Sequence, residues 1–402
     1  MGVPMAGGDQ GWERLGFLRR LVGAMGRNCI PIAAGSINDL GDGLGPIARS
    51  RWDGPDHGDE VVGRRLGLLG RAWPDLAADP TVGPLLTGEF RAGPWELLWD
   101  LWLPLALELD GVRALQPPGE KPLVQGILGL QGTGKTTLGA ALTVLLRAAG
   151  RSVLSWSIDD LYLPYGDRVA LRSRDRRLIW RGPPGTHDVA LGLRVFQDLA
   201  DRELTKIALP RFDKTCHGGQ GDRTAPEWIA APVDIVLFEG WFVGTQPIAP
   251  ELFDQAPDPI ATDDDRAFAR RCNERLRAYQ PLWDQCDRLL VLCPEDYRAS
   301  KRWRREAEQR QRDRGAGAMA DGEVDAFVDY FWMALHPELF VAPLAVPGDE
   351  PPGDRAPHPL NPRIHAVVRL DGDRRIKTLH RYPVLGDRAG NEELSSLPRP
   401  IP

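Results

Sequence analysis

The stretch GLQGTGKTT, Gly129–Thr137, follows the apolar run LVQGILGL and leads into TLGAALTVLLRAAG. It fits the pattern G-x-x-x-x-G-K-[ST], with Gly129, Gly134, Lys135 and Thr136 at the fixed positions. The spacing serves a physical end. Glycines let a loop wrap with its backbone N–H groups turned inward, toward phosphate oxygens. The helix that follows adds the positive end of its dipole. Lys135 has the reach for β- and γ-phosphates, and the Thr136 hydroxyl suits Mg²⁺. Gln131, Gly132, Thr133 and Thr137 complete the cradle. A nucleoside triphosphate site with Mg²⁺ is the reading, one that motors, GTPases, ATPases and small-molecule kinases share.

Downstream of Leu123, short apolar runs alternate with longer amphipathic segments: SVLSWSI, VDIVLFEG, a helix around Asp264–Trp283, then DRLLVLC. Continuous apolar strands alternating with helices mark a parallel sheet covered on both faces, an α/β fold. Residues 295–314 read as a strongly basic helix, and an amphipathic helix carrying Val324, Phe327, Val328 and Phe331 follows. AVVRLDGDRRIKTL predicts a strand pair turning at Asp371-Gly372. Upstream, two helix faces stand out: Leu15, Leu18, Leu21 and Val22, and then Trp95, Leu98, Trp99 and Trp102. The aromatic stripe reads as a packing face.

Composition excludes several classes. A net charge of −6 argues against a chain that coats nucleic acid or anionic membrane by bulk charge. Cys29, Cys216, Cys272, Cys286 and Cys293 are scattered and odd in number, so neither a disulfide framework nor a zinc site is expected. No run is long enough to span a bilayer and the start lacks a signal-peptide pattern, so a cytoplasmic location is expected, with no nucleic-acid and no membrane partner. Only six of the 50 basic residues are lysines, so each lysine is informative.

Two more strand ends carry acids. SWSIDDLYLP places Asp159 and Asp160 at the C-terminal end of a strand, where ligands bind in open α/β sheets. A carboxylate there can take a proton from an attacking hydroxyl or help to hold Mg²⁺; one of the pair could equally cap a turn. VDIVLFEGW ends in Glu239, placed to contact the metal's shell.

With these words in view, the chain resembles the phosphoribulokinase/uridine kinase group of P-loop kinases. Within it, the chain is similar to the plant and cyanobacterial type of D-glycerate 3-kinase. The words that carry the resemblance are RGPPGTHD (Arg181–Asp188), LPRFDKTCHGGQGDR (Leu209–Arg223), VLFEGWFVG (Val236–Gly244) and NERLRAYQPLWDQCD (Asn273–Asp287). The resemblance covers roughly residues 120–335. It implies a three-layer P-loop kinase core, a five-stranded parallel sheet between helices, with a lid. The implied organisation is a helical N-terminal region (1–115), a kinase domain (120–340) with its lid around 295–320, and a loop-rich C-terminal extension (341–402) with the short strand pair.

The implied reaction moves the γ-phosphoryl group of ATP to a small alcohol. Lys135 and Thr136 take the nucleotide and metal roles, Asp159 that of general base, Glu239 a place beside Mg²⁺, and Arg304 and Arg305 those of lid arginines. D-Glycerate, a small hydroxy acid, needs cations for its carboxylate and an acceptor at its reacting hydroxyl. Arg181, His187, Arg211, Lys214 and Arg223 are the candidate cations. Each has a structural alternative: Arg181 as a surface charge, Arg223 paired with Asp222 or another acid, His187 paired with Asp188. Acceptors such as uridine, pantothenate or a sugar phosphate remain alternatives. For a nucleoside, Tyr162 and Phe212 would supply an aromatic slot. A nucleotide switch with no acceptor is a further alternative, and oligomeric state is left open.

Overall fold

The structure, a computed structural model, describes residues 50–52, 59–88, 92–313, 319–345 and 358–384. They fall into two compact units, one drawn from residues 1–115 and 136–153, the other from 116–135 and 154–402. Leu15, Leu18, Leu21, Val22 and Cys29 lie outside the described residues.

The first unit is helical. It holds α1 (Asp59–Ala78), α2 (Leu103–Leu115) and all but the first residue of α3 (Lys135–Ala148). Between α1 and α2, Leu98–Trp102 widens into a π-helix, the Leu103 N–H donating to the Leu98 carbonyl. Trp95, Leu98, Trp99 and Trp102 are all buried, and Trp95 packs on Trp73 with ring centroids 5.5 Å apart. Arg151 donates to Asp110 at 2.6 Å.

In the second unit the chain order begins β1 (Leu123–Gly129), β2 (Val153–Ser157, whose first residue belongs to the helical unit), α4 (Tyr165–Arg174) and α5 (Val189–Ala200). Four short strands follow: β3 (Lys206–Leu209), β4 (Phe212–Asp213), β5 (Asp222–Arg223) and β6 (Glu227–Ala230). Then come β7 (Ile235–Gly240), α6 (Asp263–Arg275), β8 (Arg288–Pro294), α7 (Ala299–Asp313), α8 (Asp321–Ala334), β9 (Ile364–Leu370) and β10 (Ile376–Arg381). The central sheet has the order β10-β9-β8-β1-β7-β2.

Every residue of β1 and of β8 is buried, which is why these strands read as unbroken apolar runs rather than alternating ones. β1 pairs parallel with β7 and with β8, and β8 pairs parallel with β9. The resemblance implies five strands; the sheet has six, because the chain turns back at Asp371–Arg375 and adds β10 antiparallel to β9. The predicted helix Asp264–Trp283 is three pieces: α6, a 3₁₀ turn at Leu276–Tyr279 and a last turn at Gln280–Trp283, where Pro281 has no N–H to continue the ladder. α6 starts on a capping box, Thr262 with Asp265. Among the described residues no helix is long and apolar enough to cross a membrane.

Register sets where the chemistry emerges. Leu128 lies opposite Gly240, and Gly129 opposite Leu292. The C-terminal ends of β1, β7 and β8 therefore share one edge of the sheet. Beneath that edge Phe238, fully buried, packs between Trp156, Phe196 and Trp283, at centroid distances of 5.1, 5.3 and 6.4 Å. Phe238→Ala should cost about 3–5 kcal/mol of stability. Urea unfolding measures this, and a loss below about 1 kcal/mol would contradict the central position of this ring.

Candidate active site

The loop after β1 closes on one carbonyl. Leu130 O accepts from the Thr133 N–H at 3.3 Å, from Thr133 Oγ1 at 2.8 Å and from Lys135 Nζ at 3.1 Å. Gly132 and Gly134 have positive φ, +79° and +90°, which residues with a β-carbon rarely adopt. Burial lowers the pKa of Lys135, and the charges of Glu239 and Asp159 oppose that shift. Both acids therefore lie within electrostatic range of the loop's lysine. Thr136 follows it as the second residue of α3, in the helical unit.

β2 ends in a 3₁₀ turn, Ile158–Leu161, that presents the two aspartates, with Ser157 Oγ accepting from the Asp159 N–H. Asp159 Oδ2 takes Lys214 Nζ at 2.6 Å. Desolvation raises the Asp159 pKa, but the Lys214 charge and hydrogen bond, helped by the Tyr162 hydroxyl, prevail and hold it well below the usual carboxylate range. Asp160 has a different task. It accepts from Arg211 at 2.9 Å and from the Phe212 N–H at 3.2 Å, which pins the segment carrying Lys214 to the end of β2. Burial raises its pKa, against the Arg211 charge.

That segment is a long excursion from the sheet. β3 pairs with β6 and, beyond them, β4 pairs with β5. Arg211 bridges Asp160 and, at 2.7 Å, Glu227. Arg223 donates to Asp188 at 3.3 Å and to the Tyr162 carbonyl at 3.0 Å; its acid is thus Asp188, the N-cap of α5, not Asp222. Arg181 donates to the Gly219 carbonyl at 2.7 Å and lies over the Tyr162 and Phe212 rings. Its hydrogen-bond partner is a carbonyl where those of Arg211, Lys214 and Arg223 include acids.

His187 corrects one expectation: it is not a cation. It is 5% exposed and stacks on Tyr162 at 4.4 Å, and burial lowers its pKa to about 3 despite the Asp159 charge. Its partner is Tyr279 rather than Asp188. The Tyr279 hydroxyl oxygen accepts from the Gly185 N–H at 2.8 Å and lies 2.9 Å from His187 Nδ1. His187 Nε2 is buried and has no hydrogen-bond partner among the described residues. Tyr279 was not singled out from sequence, although it sits inside the Asn273–Asp287 word.

Arg304 and Arg305, expected on the lid, each pair with an acid. Arg304 pairs with Glu308, and Arg305 reaches across from α7 to Asp325 of α8. Thr136 and Glu239 are oxygen donors of the class that Mg²⁺ takes.

Comparison with known proteins places this arrangement. No family model matches the chain. It is 34% identical over 232 residues to the chloroplastic D-glycerate 3-kinase of Arabidopsis thaliana, covering 54% of this chain and 49% of that protein. It is 31% identical over 221 residues to mug58, an uncharacterised kinase of Schizosaccharomyces pombe, covering 53% of this chain and 80% of that one. The chain belongs to the P-loop kinase family that includes D-glycerate 3-kinase. The solved D-glycerate 3-kinase of Cryptococcus neoformans matches with a TM-score of 0.58 and 26% identity, over 69% of this chain and 97% of that one. Against the Arabidopsis member of the family, the match spans about half of that protein's length.

The His187 environment has a pH consequence. Its folded pKa, about 3, lies below its ordinary 6.5, so between those values the unfolded chain binds the extra proton. Stability should therefore fall as pH drops through this window. His187→Gln, which keeps a polar side chain of similar reach and cannot charge, should flatten the fall in urea midpoint between pH 7 and 4. Identical slopes for the two proteins would contradict a buried neutral histidine.

Proposed function

We propose that this chain is an ATP-dependent kinase that transfers the γ-phosphoryl group to the 3-hydroxyl of D-glycerate. The observation that carries the reading is Asp159. It is an ionised carboxylate fixed by Lys214 at 2.6 Å, at a strand end, within electrostatic range of the phosphate-loop lysine. A nucleotide switch has no use for a carboxylate in that position. The family relatives named as D-glycerate 3-kinases support the acceptor.

Lys135 exchanges the Leu130 carbonyl for the β- and γ-phosphates. Asp159 accepts a hydrogen bond from the acceptor hydroxyl, orients it in line with the γ-phosphorus and takes its proton as the new P–O bond forms. The low pKa of Asp159 makes it an orienting acceptor first, which takes the proton late, once P–O bond formation has acidified the hydroxyl. Arg181 and Lys214 hold the substrate carboxylate. Arg304 and Arg305 leave Glu308 and Asp325 to neutralise the transferring phosphoryl group. Mg²⁺, assigned to Thr136 and Glu239, would neutralise phosphate charge when bound. The buried free thiols of Cys272, Cys286 and Cys293 suit a reducing compartment such as the cytoplasm.

A nucleoside acceptor is less well supported. Tyr162 is 3% exposed, one face covered by His187 and its edge met by Phe212 at 5.1 Å, so the aromatic slot is filled by the protein's own rings.

The test is ADP release against a panel of D-glycerate, L-glycerate, uridine, pantothenate and sugar phosphates, with the product identified by NMR. D-Glycerate-dependent turnover yielding 3-phosphoglycerate is expected, and Asp159→Asn should lower kcat by about 10²–10⁴-fold. Turnover stimulated by another acceptor alone, or by none, would overturn the assignment.

A further inference from the structure

The β9–β10 turn, far along the chain from the phosphate loop, meets that loop directly. Arg374 Nε donates to the Gly132 carbonyl at 2.8 Å. Its Nη2 reaches Glu306 of α7 at 2.9 Å, and its guanidinium lies 4.9 Å from the Trp303 ring centroid. Trp303 is fully buried, and its Nε1 donates at 2.9 Å to the carbonyl of Gly372, which also accepts from Arg302. The other side of Gly132 is equally constrained. A β-carbon there would stand 2.5 Å from Trp303 Cβ.

From this geometry we propose that Arg374 is a positioning residue of the nucleotide site. With Trp303 it holds the Gly132 peptide in the orientation that phosphate binding requires. The peptide unit is planar, so the Gly132 carbonyl and the Thr133 N–H point in opposite directions. Drawing the carbonyl outward onto Arg374 turns the Thr133 N–H inward, toward the same Leu130 carbonyl that Lys135 addresses. The inner wall of the loop is thus set from outside. A loop whose amides are held ready does not spend binding energy on ordering them. The Glu306 contact ties the same arginine to α7, the helix that carries Arg304 and Arg305. The β9–β10 hairpin, which the fold alone does not explain, is in this account the outer brace of the phosphate cradle.

The proposal rests on the nucleotide reading of the loop, and the experiment separates the two. MgADP binding is measured by calorimetry on the full chain for the native protein, Lys135→Ala, Arg374→Ala, Trp303→Phe and Arg375→Ala. Arg375 is the exposed neighbouring cation and controls for local charge. Arg374→Ala should raise the Kd for MgADP about tenfold. In turnover it should raise KM for ATP without changing KM for the acceptor. Trp303→Phe, which keeps most of the packing and removes the bond to Gly372, should shift Kd the same way by a smaller factor. It decides the matter should Arg374→Ala fail to fold. Arg375→Ala should bind as the native protein does. Native-like MgADP affinity in Arg374→Ala, or in Trp303→Phe where that variant stands alone, overturns the brace while leaving the nucleotide site intact. Equal loss in Arg375→Ala also overturns it, since bulk charge would then be the cause. A native protein that does not bind MgADP, or binds it as Lys135→Ala does, removes the nucleotide reading and the brace with it.

Discussion

The 2.6 Å contact between Lys214 and Asp159 is the interaction on which the crevice depends. Without a cation at that distance, an aspartate at the end of a buried strand would be pushed toward its neutral, proton-donating form. With it, the carboxylate stays ionised, an acceptor rather than a donor. The same contact leaves Lys214 partly neutralised. A small carboxylate substrate would then find its least committed cation in Arg181, which is held by a backbone carbonyl.

Everything that positions this pair is ordinary fold chemistry. Parallel register brings β1, β7 and β8 out at one edge, so that the phosphate loop, Glu239 and the crossing of β2 converge there. Asp160, beside the acid assigned to chemistry, spends both oxygens on Arg211 and the Phe212 amide and so anchors the excursion that delivers Lys214. Two adjacent aspartates thereby differ: one is held by Lys214 and the other anchors the segment that carries it. His187 shows the same economy. Its partner Tyr279 also takes the Gly185 amide, and burial keeps the ring neutral, so no charge enters the core.

The parts legible in the sequence were those written locally. The phosphate loop is a contiguous word with fixed chemistry. β1, β7 and β8 advertise themselves because burial on both faces demands unbroken apolar runs. The strand-end positions of Asp159 and Glu239 are local too, since each acid closes its own apolar run. What could not be read is what depends on where distant segments meet. A histidine between threonine and aspartate looks like a cation until burial against Tyr162 and Tyr279 makes it neutral. WRREAEQR itself holds Glu308, four residues on from Arg304 along a helix, whereas nothing in it shows that Asp325 lies within reach of Arg305. The meeting of Arg374 with Gly132 spans 242 residues and has no local signal at all.

The most direct test of the account is a crystal structure with a non-hydrolysable ATP analogue, Mg²⁺ and D-glycerate bound together. The account predicts the analogue's terminal phosphate at Lys135, one glycerate hydroxyl within hydrogen-bond distance of Asp159, and the glycerate carboxylate on Arg181 or Lys214. A glycerate molecule bound away from Asp159, or a triphosphate lodged elsewhere than the Gly129–Thr136 loop, would contradict it.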